Sequence, residues 1–313
     1  MPATPYDNSV RRPPSSVASV ATAASAIAVL LLPVALFAWG DVGHRITGEA
    51  AARRLPSAMP AFFRSAASQL TYLNPEPDRW RDRGEHTLDP ALDGATAPDH
   101  FIDLELAPSS VLAAALKAPD RYGYLDTLAA AHVNAVKMGL LPFRILEMSQ
   151  RLRLEFRLWR SASDSAKPWI EQRIINDAGI LGHYVADGSN PAHTSVHFNG
   201  WTGSNPNGYA TDRRFHARSE AEYVETHVTL GDVLPHVDPT ARVFPNLRAA
   251  IIEYVRRSNA EIERMYQLDK AHPFDAQTTA PENKAFIVGR LADGAQMLRD
   301  IWWSAWETSS DRR

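Results

Sequence analysis

The sequence predicts an all-α protein made of a single multi-helix domain with long loops. Apolar residues recur at three-and-four spacing in several stretches, whereas no segment alternates apolar and polar residues over a sustained length. The chain has 313 residues, of which 45% are hydrophobic, and this length is ample for burying a core. We find no internal repeat.

The first half of the chain after residue 40 predicts several short or medium helices. A helix beginning after Gly43 runs to Leu55 and is ended by Pro56, and an apolar cluster follows at 57–71. Proline and glycine then break residues 73–99 into loops and short turns. Amphipathic helices are predicted next at 112–116, 125–141 and 145–158.

The second half begins with a helix that has Ser165 as its N-cap and Pro168 in its first turn. Its apolar positions face away from a stripe formed by positions 176, 180, 183 and 187. Residues 188–214 predict a rim loop, which is longer than a compact domain normally contains without a function. Helical periodicity returns over 215–228, 247–268 and 284–306.

Charge and cysteine content narrow the possible functions. The formal net charge is −3, so the strongly basic surface of a typical nucleic-acid-binding protein is absent. A nucleic-acid substrate is still possible, because bound metal ions would add local positive charge. The chain has no cysteine, so a metal site must use His, Asp, Glu and backbone atoms. Such ligands suit a catalytic zinc site better than a structural one.

Residues 1–38 predict a signal peptide that is removed on export to the periplasm or the extracellular space. Arg11 and Arg12 precede an uncharged run with an apolar core at 26–36, and Ala38 is the expected last residue removed. The alternative is an uncleaved membrane anchor, which the length of the run permits but Pro33 disfavours. Cleavage would make Trp39 the new N-terminus and leave one domain at 39–313.

Four of the eleven histidines fall between residues 183 and 220. His183 precedes Asp187 by four residues, and His216 precedes Glu220 by four, so each pair lies on one face of a helix. One such pair means little, since surface ion pairs often produce it. Two pairs, together with His193 just beyond a proline turn, predict a multi-zinc hydrolytic site.

The other candidate ligands have simpler alternatives. His100 could be a buried, hydrogen-bonded core histidine, and Asp78 could be an N-cap, with Asp82 as the alternative ligand. His197 could replace His193 as a ligand, although we expect it at the rim of the site. The remaining histidines lack acidic or histidine partners at useful spacing and are assigned to the surface or core: His86, His132, His227, His236 and His272.

As an ordered set, four motifs resemble the superfamily that joins bacterial zinc-dependent phospholipases C with fungal and plant single-strand nucleases of the S-one and P-one type. The start resembles the nucleases' Trp-Gly-x-x-Gly-His, the second motif resembles the superfamily's His-Phe-x-Asp ligand segment, and the last two resemble the phospholipases. These motifs are Trp39-Gly-Asp-Val-Gly-His44, His100-Phe-Ile-Asp103, His183-Tyr-Val-Ala-Asp187-Gly-Ser-Asn190-Pro-Ala-His193 and Phe215-His216-Ala-Arg-Ser-Glu220.

The resemblance implies the all-α fold of this superfamily and a cluster of three zinc ions. The first ion would bind Asp78, His100, His183 and Asp187. The second would bind His193, His216 and Glu220. The third would bind the amine and carbonyl of Trp39, together with His44 and Asp187.

The resemblance also implies hydrolysis of a phosphodiester by a zinc-bound hydroxide. Arg81 follows Asp78 by three residues, which is the spacing of a phosphate-contacting arginine in the nucleases, and we expect Asp78, Arg81 and Asp187 to be catalytic. Asp103 is expected to contact substrate or orient a ligand. The aromatic rim residues Phe198, Trp201 and Tyr209 could stack on a base or meet a lipid.

Two features favour each substrate class. The Trp-Gly start and Arg81 favour single-stranded nucleic acid or nucleotides, whereas Asn190 and Glu220 favour phospholipid head groups. A further alternative is a non-catalytic zinc-binding helical protein. The sequence indicates no obligate protein partner.

Overall fold

The computed structural model describes residues 39–310, so the predicted signal peptide at 1–38 lies outside the described residues. Within this range no residue is in a β-strand, and the predicted all-α fold is confirmed. No helix in this part of the chain is both long enough and apolar enough to span a bilayer.

The N-terminal helices are mostly short, apart from the first. They are α1 (Gly40–Arg53), α2 (Ala61–Ser65), α3 (Ala67–Leu73), α4 (Glu76–Arg79), α5 (Arg83–Leu88) and α6 (Ala91–Thr96). Two 3-10 turns follow at Ala97–His100 and Leu104–Leu106, and then come α7 (Ser109–Ala115), α8 (Arg121–Ala130) and α9 (Ala135–Met138).

The longest helices come later in the chain. They are α10 (Leu141–Ser161), α11 (Lys167–Ser189) and α17 (Pro281–Thr308). Between α11 and α17 lie a 3-10 turn (Pro191–His193), α12 (Phe215–Ala217), a π-helical turn (Arg218–Glu222), α13 (Tyr223–His227), α14 (Leu230–Val233), a 3-10 turn (Leu234–His236), α15 (Leu247–Asn259) and α16 (Ile262–Ala271).

Helix α11 lies at the centre of the core. It packs against α10, α17, α1 and α3, and its residues from Asp177 to Ser189 are all buried. Three aromatic side chains from other parts of the fold donate hydrogen bonds to its main-chain carbonyls. These are Trp39 to Ala186 (2.8 Å), Tyr254 to Val185 (2.7 Å) and Trp302 to Ala178 (3.2 Å). Packing on all sides therefore fixes the position of this helix.

Residues 73–99 form the short helices α4, α5 and α6, so the prediction of loops and turns is wrong here. Pro77 lies in the first turn of α4, where its missing N–H costs no hydrogen bond. Pro90 is the N-cap of α6. The prolines thus begin helices in this segment instead of ending them.

The predicted helix over 125–141 is interrupted between α8 and α9. His132 has a φ of 58°, and Gly139, with a φ of 91°, ends α9. A Cβ at Gly139 would lie 2.0 Å from the carbonyl oxygen of Phe101. The chain must pass very close to Phe101 at this point, and only glycine allows that approach.

Two other predicted helices differ in their interior. The helix over 215–228 contains the π-helical turn Arg218–Glu222, and the helix over 247–268 is divided into α15 and α16. The C-terminal helix is longer than predicted and runs over Pro281–Thr308 as α17.

Candidate metal centre

Buried histidines and carboxylates lie together at the end of α11. Three groups each have ligand atoms within 4.8 Å of one another, and two of the groups overlap. His183 belongs to two of the groups, and Asp187 lies one helical turn away on the same face. The first group is Asp78, His100 and His183, the second is His44, His183 and Asp187, and the third is His193, His216 and Glu220.

The first group joins α4 and the turn Ala97–His100 to α11. His183 Nε2 lies 2.9 Å from His100 Nδ1 and 3.7 Å from Asp78 Oδ1. His100 Nδ1 lies 3.8 Å from Asp78 Oδ1 and 3.2 Å from Asp187 Oδ2. These four residues are the set expected to bind the first zinc ion.

The second group adds α1 to the same cluster. His44 Nε2 lies 3.5 Å from Asp187 Oδ1 and 3.9 Å from Asp78 Oδ2. The rings of His44 and His183 are stacked with their centroids 3.9 Å apart. Asp187 therefore faces histidines from both groups, which is what the expected bridging carboxylate requires.

The third group is held by the turn after α11 and by the helical run that begins at Phe215. His216 Nε2 lies 2.6 Å from Glu220 Oε2, and His193 Nε2 lies 3.7 Å from Glu220 Oε1. Glu220 lies within the π-helical turn, a distortion that often occurs at functional sites. The amide of Asn190 also donates to Glu220 Oε1 over 2.5 Å.

Main-chain and amide oxygens fix the orientation of three of the histidines. His183 Nδ1 donates to the carbonyl of Asn74 (3.0 Å), and His193 Nδ1 donates to the carbonyl of His100 (2.8 Å). His44 Nδ1 donates to Asn74 Oδ1 (3.2 Å). In each ring Nδ1 thus carries a proton and Nε2 is turned towards the site, the arrangement that metal-binding histidines adopt.

Asn74 therefore orients two histidines at once, one with its side chain and one with its carbonyl. It is fully buried between α1 and α11. A Cβ on Gly182 would lie 2.3 Å from Asn74 Nδ2, and one on Gly48 would lie 2.8 Å from the same atom. The two glycines provide the space that the asparagine occupies. No motif spacing in the sequence singles out Asn74, so its role is evident only from the folded chain.

Burial sets the protonation of the first two groups. It raises the pKa of Asp78 to about 7, which Arg81 only partly counteracts, and it raises the pKa of Asp187 well above its usual range. Burial also lowers the pKa of His100 and His183 well below the usual range. The imidazoles are neutral and ready to bind a cation, and a bound cation would favour the ionised form of both acids.

The third group is more strongly charged. Burial lowers the pKa of His193, but the charges of Asp187 and Glu220 outweigh that effect and raise it to about 9. Burial raises the pKa of Glu220, but His216 and His193 outweigh it and lower the pKa to about 2. Glu220 is therefore ionised at neutral pH and can bind a metal ion.

Buried ligand atoms that lack hydrogen-bonding partners also indicate that the site fits a metal ion. Within residues 39–310, Asp187 Oδ1, Asp78 Oδ1 and His193 Nε2 are buried without a hydrogen-bonding partner. Burying such atoms without a partner destabilises the fold unless they bind something, and all of them are ligand atoms of the kind that zinc prefers.

Asp82 is placed differently from Asp78. It is exposed, and its side chain accepts a hydrogen bond from the main-chain nitrogen of Glu85 (2.8 Å) as the N-cap of α5. The capping role considered for Asp78 thus belongs to Asp82, and Asp78 faces the histidines.

Trp39 is fully buried at the start of α1, with a φ of 43°. Its indole donates to Ala186 on α11, next to Asp187. Its carbonyl accepts a hydrogen bond from the nitrogen of Gly43 (3.1 Å). The residue expected to contribute the amino terminus to the third zinc site therefore packs against the helix that carries the shared ligands.

A cavity of about 500 Å³ opens beside the histidines. His100, His193 and His216 contribute to its wall, so the cavity gives access to two of the three groups. Of the predicted substrate-binding residues, Arg81, Asp103 and Phe198 line it. Lys137, which was not among the predicted residues, lines it as well. Lys137 is on α9, far from every motif in sequence, so only the folded chain reveals it.

The charged residues of the cavity are of both signs. Arg81 Nε lies 3.5 Å from Asp93 Oδ1, and Asp93 also lies 3.2 Å from His86 Nδ1. His86 therefore has an acidic partner that its sequence neighbours do not indicate. Burial, with a contribution from Glu105, raises the pKa of Asp103 to about 7. Asp103 can thus either donate or accept a hydrogen bond near neutral pH.

Trp201 does not line this cavity. Its ring stacks on His197, with centroids 3.9 Å apart, and packs against Tyr209 and Tyr266. His197 Nδ1 accepts a hydrogen bond from the main-chain nitrogen of Thr202 (3.1 Å). These contacts hold the 188–214 segment together away from the cavity, whereas His193 Nε2 lies 3.7 Å from Glu220 Oε1 in the third group.

Comparison with known proteins gives two similarities. No family model matches the chain. A curated protein of Bradyrhizobium tropiciagri, described as a probable serine protease, is 24% identical over 275 residues. The match covers 68% of this chain and 32% of the relative, so the chain spans about a third of that protein's length.

Among solved structures, alpha toxin from Clostridium absonum is similar, with a TM-score of 0.43 and 11% identity. The match covers 89% of this chain and 66% of the toxin chain.

Proposed function

We propose that this chain is an exported, zinc-dependent phosphodiester hydrolase that acts by preference on single-stranded nucleic acid or nucleotides. One observation carries the proposal. Three groups of buried histidines and carboxylates lie together, two of them share His183, and the site opens into a cavity with Arg81 and Lys137 in its wall. Metal ions held by such ligands, together with cationic side chains, suit the hydrolysis of a phosphodiester.

The ligands favour three zinc ions. Imidazole nitrogens and carboxylate oxygens, without thiolates, suit zinc in catalytic sites where water keeps access to the metal. Zinc held there would lower the pKa of a water molecule and stabilise negative charge on phosphoryl oxygens. The residues that would hold it are Trp39, His44, Asp78, His100, His183, Asp187, His193, His216 and Glu220.

The side chains of the site have distinct roles in this proposal. The carbonyl and side chain of Asn74 hold His183 and His44 in the tautomer that binds metal. Asp78 and Asp187 supply negative charge that balances the bound ions. Arg81 contacts a phosphoryl oxygen and neutralises charge that grows there, and Asp103 hydrogen-bonds the substrate.

The nucleic-acid preference rests on the second cation. Arg81 and Lys137 line the same cavity, and within residues 39–310 no ion pair is formed by Lys137. Two cations suit a polyanionic strand better than a zwitterionic lipid head group. Phe198 is 42% exposed at the cavity and offers a flat surface for stacking on a base.

Phospholipase C activity is the second candidate, and one observation favours it. Leu106 and Phe198, both 42% exposed, give the cavity an apolar edge that could meet acyl chains. Activity on single-stranded DNA and on phosphatidylcholine, measured with the same zinc-loaded protein, distinguishes the two. Hydrolysis of the lipid alone would overturn the nucleic-acid preference.

A serine-protease activity, suggested by the name of the Bradyrhizobium relative, has no support in the site. The hydroxyls of Ser189 and Ser219 lie next to the proposed ligands but donate to the main-chain carbonyls of Ala186 (2.7 Å) and Phe215 (2.9 Å). Neither hydroxyl is directed to a histidine that could activate it.

The decisive experiment measures the mature N-terminus, the zinc content and the activity of His183→Ala. We expect Trp39 at the N-terminus, three zinc ions per chain and a loss of activity of at least a hundredfold in the variant. Fewer than two zinc ions in the mature protein, or an unimpaired variant, would overturn the proposal. Full zinc content with no hydrolysis of any phosphodiester would favour a non-catalytic zinc-binding protein.

A further inference from the structure

A second cleft, which shares no residue with the metal centre, lies between α10, α17 and the segment before α15. Its volume is about 360 Å³. One face of α10 contributes Gln150, Arg153 and Arg157 to its wall, and Phe244 and Leu247 form part of the opposite side. None of the residues that line the cleft is acidic.

Two arginines face this cleft without an anionic partner. Arg153 and Arg157 are one helical turn apart on the same face of α10, where like charges repel each other. Within residues 39–310, neither forms an ion pair, although Arg157 Nε donates to the carbonyl of Ser309 (3.4 Å). The arrangement therefore has two positive charges in one cleft and no negative charge to balance them.

The hydroxyl groups in the cleft are already engaged. Ser149 donates to the carbonyl of Ile145 (2.7 Å), and Thr308 donates to the carbonyl of Ser304 (2.7 Å). Ser304 itself accepts a hydrogen bond from the nitrogen of Phe244 (2.9 Å). The donors left for a ligand are the two guanidinium groups and the amide of Gln150, and all of these suit an anion.

We propose that this cleft binds a ligand that carries a phosphoryl group on a flat or apolar body. The guanidinium groups bind the phosphoryl oxygens, since planar N–H pairs match a phosphate in two-pronged hydrogen bonds. The body of the ligand lies against Phe244, Pro245 and Leu247. The site is distinct from the metal centre and does not depend on it.

Isothermal titration calorimetry tests this proposal with inorganic phosphate and adenosine 5′-monophosphate as probes. Zinc-loaded wild-type protein is compared with the double variant Arg153→Gln/Arg157→Gln. We expect the double variant to lose one binding event, or to weaken it about tenfold or more, because two charged hydrogen-bonding groups are removed. Hydrolysis of phosphodiesters at the metal centre should be unchanged.

The matched control is Arg256→Gln/Arg257→Gln, which removes the same charge from the exposed face of α15. It should bind both probes as the wild type does. Equal weakening in both double variants would overturn the proposal, since general charge would then explain the effect. So would wild-type binding by Arg153→Gln/Arg157→Gln, with its fold verified by circular dichroism.

The two probes separate the parts of the ligand. Tighter binding of the nucleotide than of phosphate supports a body that packs against Phe244, and Phe244→Ala should then abolish the difference. Equal affinities would overturn the role of the apolar wall. If the metal centre proves inactive, this titration is unaffected, so failure of one proposal is distinguishable from failure of the other.

Discussion

Asp78 and Asp82 are four residues apart in the chain but have opposite surroundings. Asp78 is buried, with Oδ1 lying 3.7 Å from His183 Nε2. Asp82 is exposed and caps α5 through the nitrogen of Glu85. A pair of identical residue types with such different environments allows a controlled test of ligand assignment.

Asp78→Asn should lower the zinc content and reduce kcat at least a hundredfold, because an amide is a weaker metal ligand than a carboxylate. Asp82→Asn keeps a good N-cap and should retain both zinc and activity, with a stability change below about 1 kcal/mol. Metal analysis and steady-state kinetics on both variants test this. Loss of zinc in Asp82→Asn with full retention in Asp78→Asn would contradict the assignment.

Removal of the metal should destabilise the protein as well as inactivate it. The site places three carboxylates and five histidines in buried positions, and a bound ion stabilises only the folded state. We expect dialysis against a chelator to lower the melting temperature and abolish hydrolysis, with both restored by zinc. Free zinc at about 1,000 times Kd corresponds to roughly 4 kcal/mol of stabilisation.

Magnesium at the same concentration is the control for that experiment. It prefers oxygen ligands in octahedral geometry, so it should restore neither property. An unchanged melting temperature after complete removal of zinc would show that the ligands do not bind it in the folded state.

Arg81 and Lys137 should contribute to substrate binding through charge. Arg81→Gln and Lys137→Gln should each raise KM for single-stranded DNA several-fold. Each should also reduce the slope of log binding constant against log salt by about 0.7, the value per neutralised phosphate on a single strand. The exposed Lys117 lies outside the cavity, and Lys117→Gln should leave the slope unchanged. Identical salt slopes in all three variants would show that Arg81 and Lys137 do not neutralise substrate phosphates.

Glu155, buried between α10 and α11, should make stability depend on pH. Burial, with the nearby charge of Asp177, raises its pKa from 4.5 to about 7. A raised carboxyl pKa favours the folded state below pH 4.5, and this contribution is lost as the pH rises through 7. Glu155→Gln removes the titration, so its stability relative to the wild type should increase between pH 5 and 8.

The expected increase is on the order of 1 kcal/mol, measured by urea denaturation at each pH. The variant also changes the hydrogen bond that Arg173 donates to Glu155 (3.0 Å). The test is therefore the change with pH in the difference in unfolding free energy between the variant and the wild type, not the size of that difference at one pH. Glu253→Gln, an exposed change on α15, is the control. A pH-independent difference between Glu155→Gln and wild type would refute this prediction.

The sequence was sufficient for those features that depend on local spacing. The i,i+4 separation of His183 and Asp187 predicted their shared helical face, and the structure confirms it with 3.3 Å between Nε2 and Oδ2. The absence of alternating segments predicted the all-α fold. Both follow from periodicities that a helix imposes on its own residues.

Features that depend on contacts between distant segments could not be predicted. Lys137 reaches the cavity because α9 packs beside the turn Ala97–His100, and no local pattern marks that contact. The short helices over 73–99 were missed because proline begins some helices and ends others, and its sequence position alone does not decide between them.

The close packing of Gly48, Asn74 and Gly182 has a consequence for how this protein can be altered by directed evolution. A larger residue at position 48 or 182 needs a smaller one at 74, and that change removes the acceptor for His44 as well. Libraries that vary these positions one at a time should therefore return mostly the parental residues. Productive variants require simultaneous changes on three helical segments, so this corner of the protein should be the slowest to diversify.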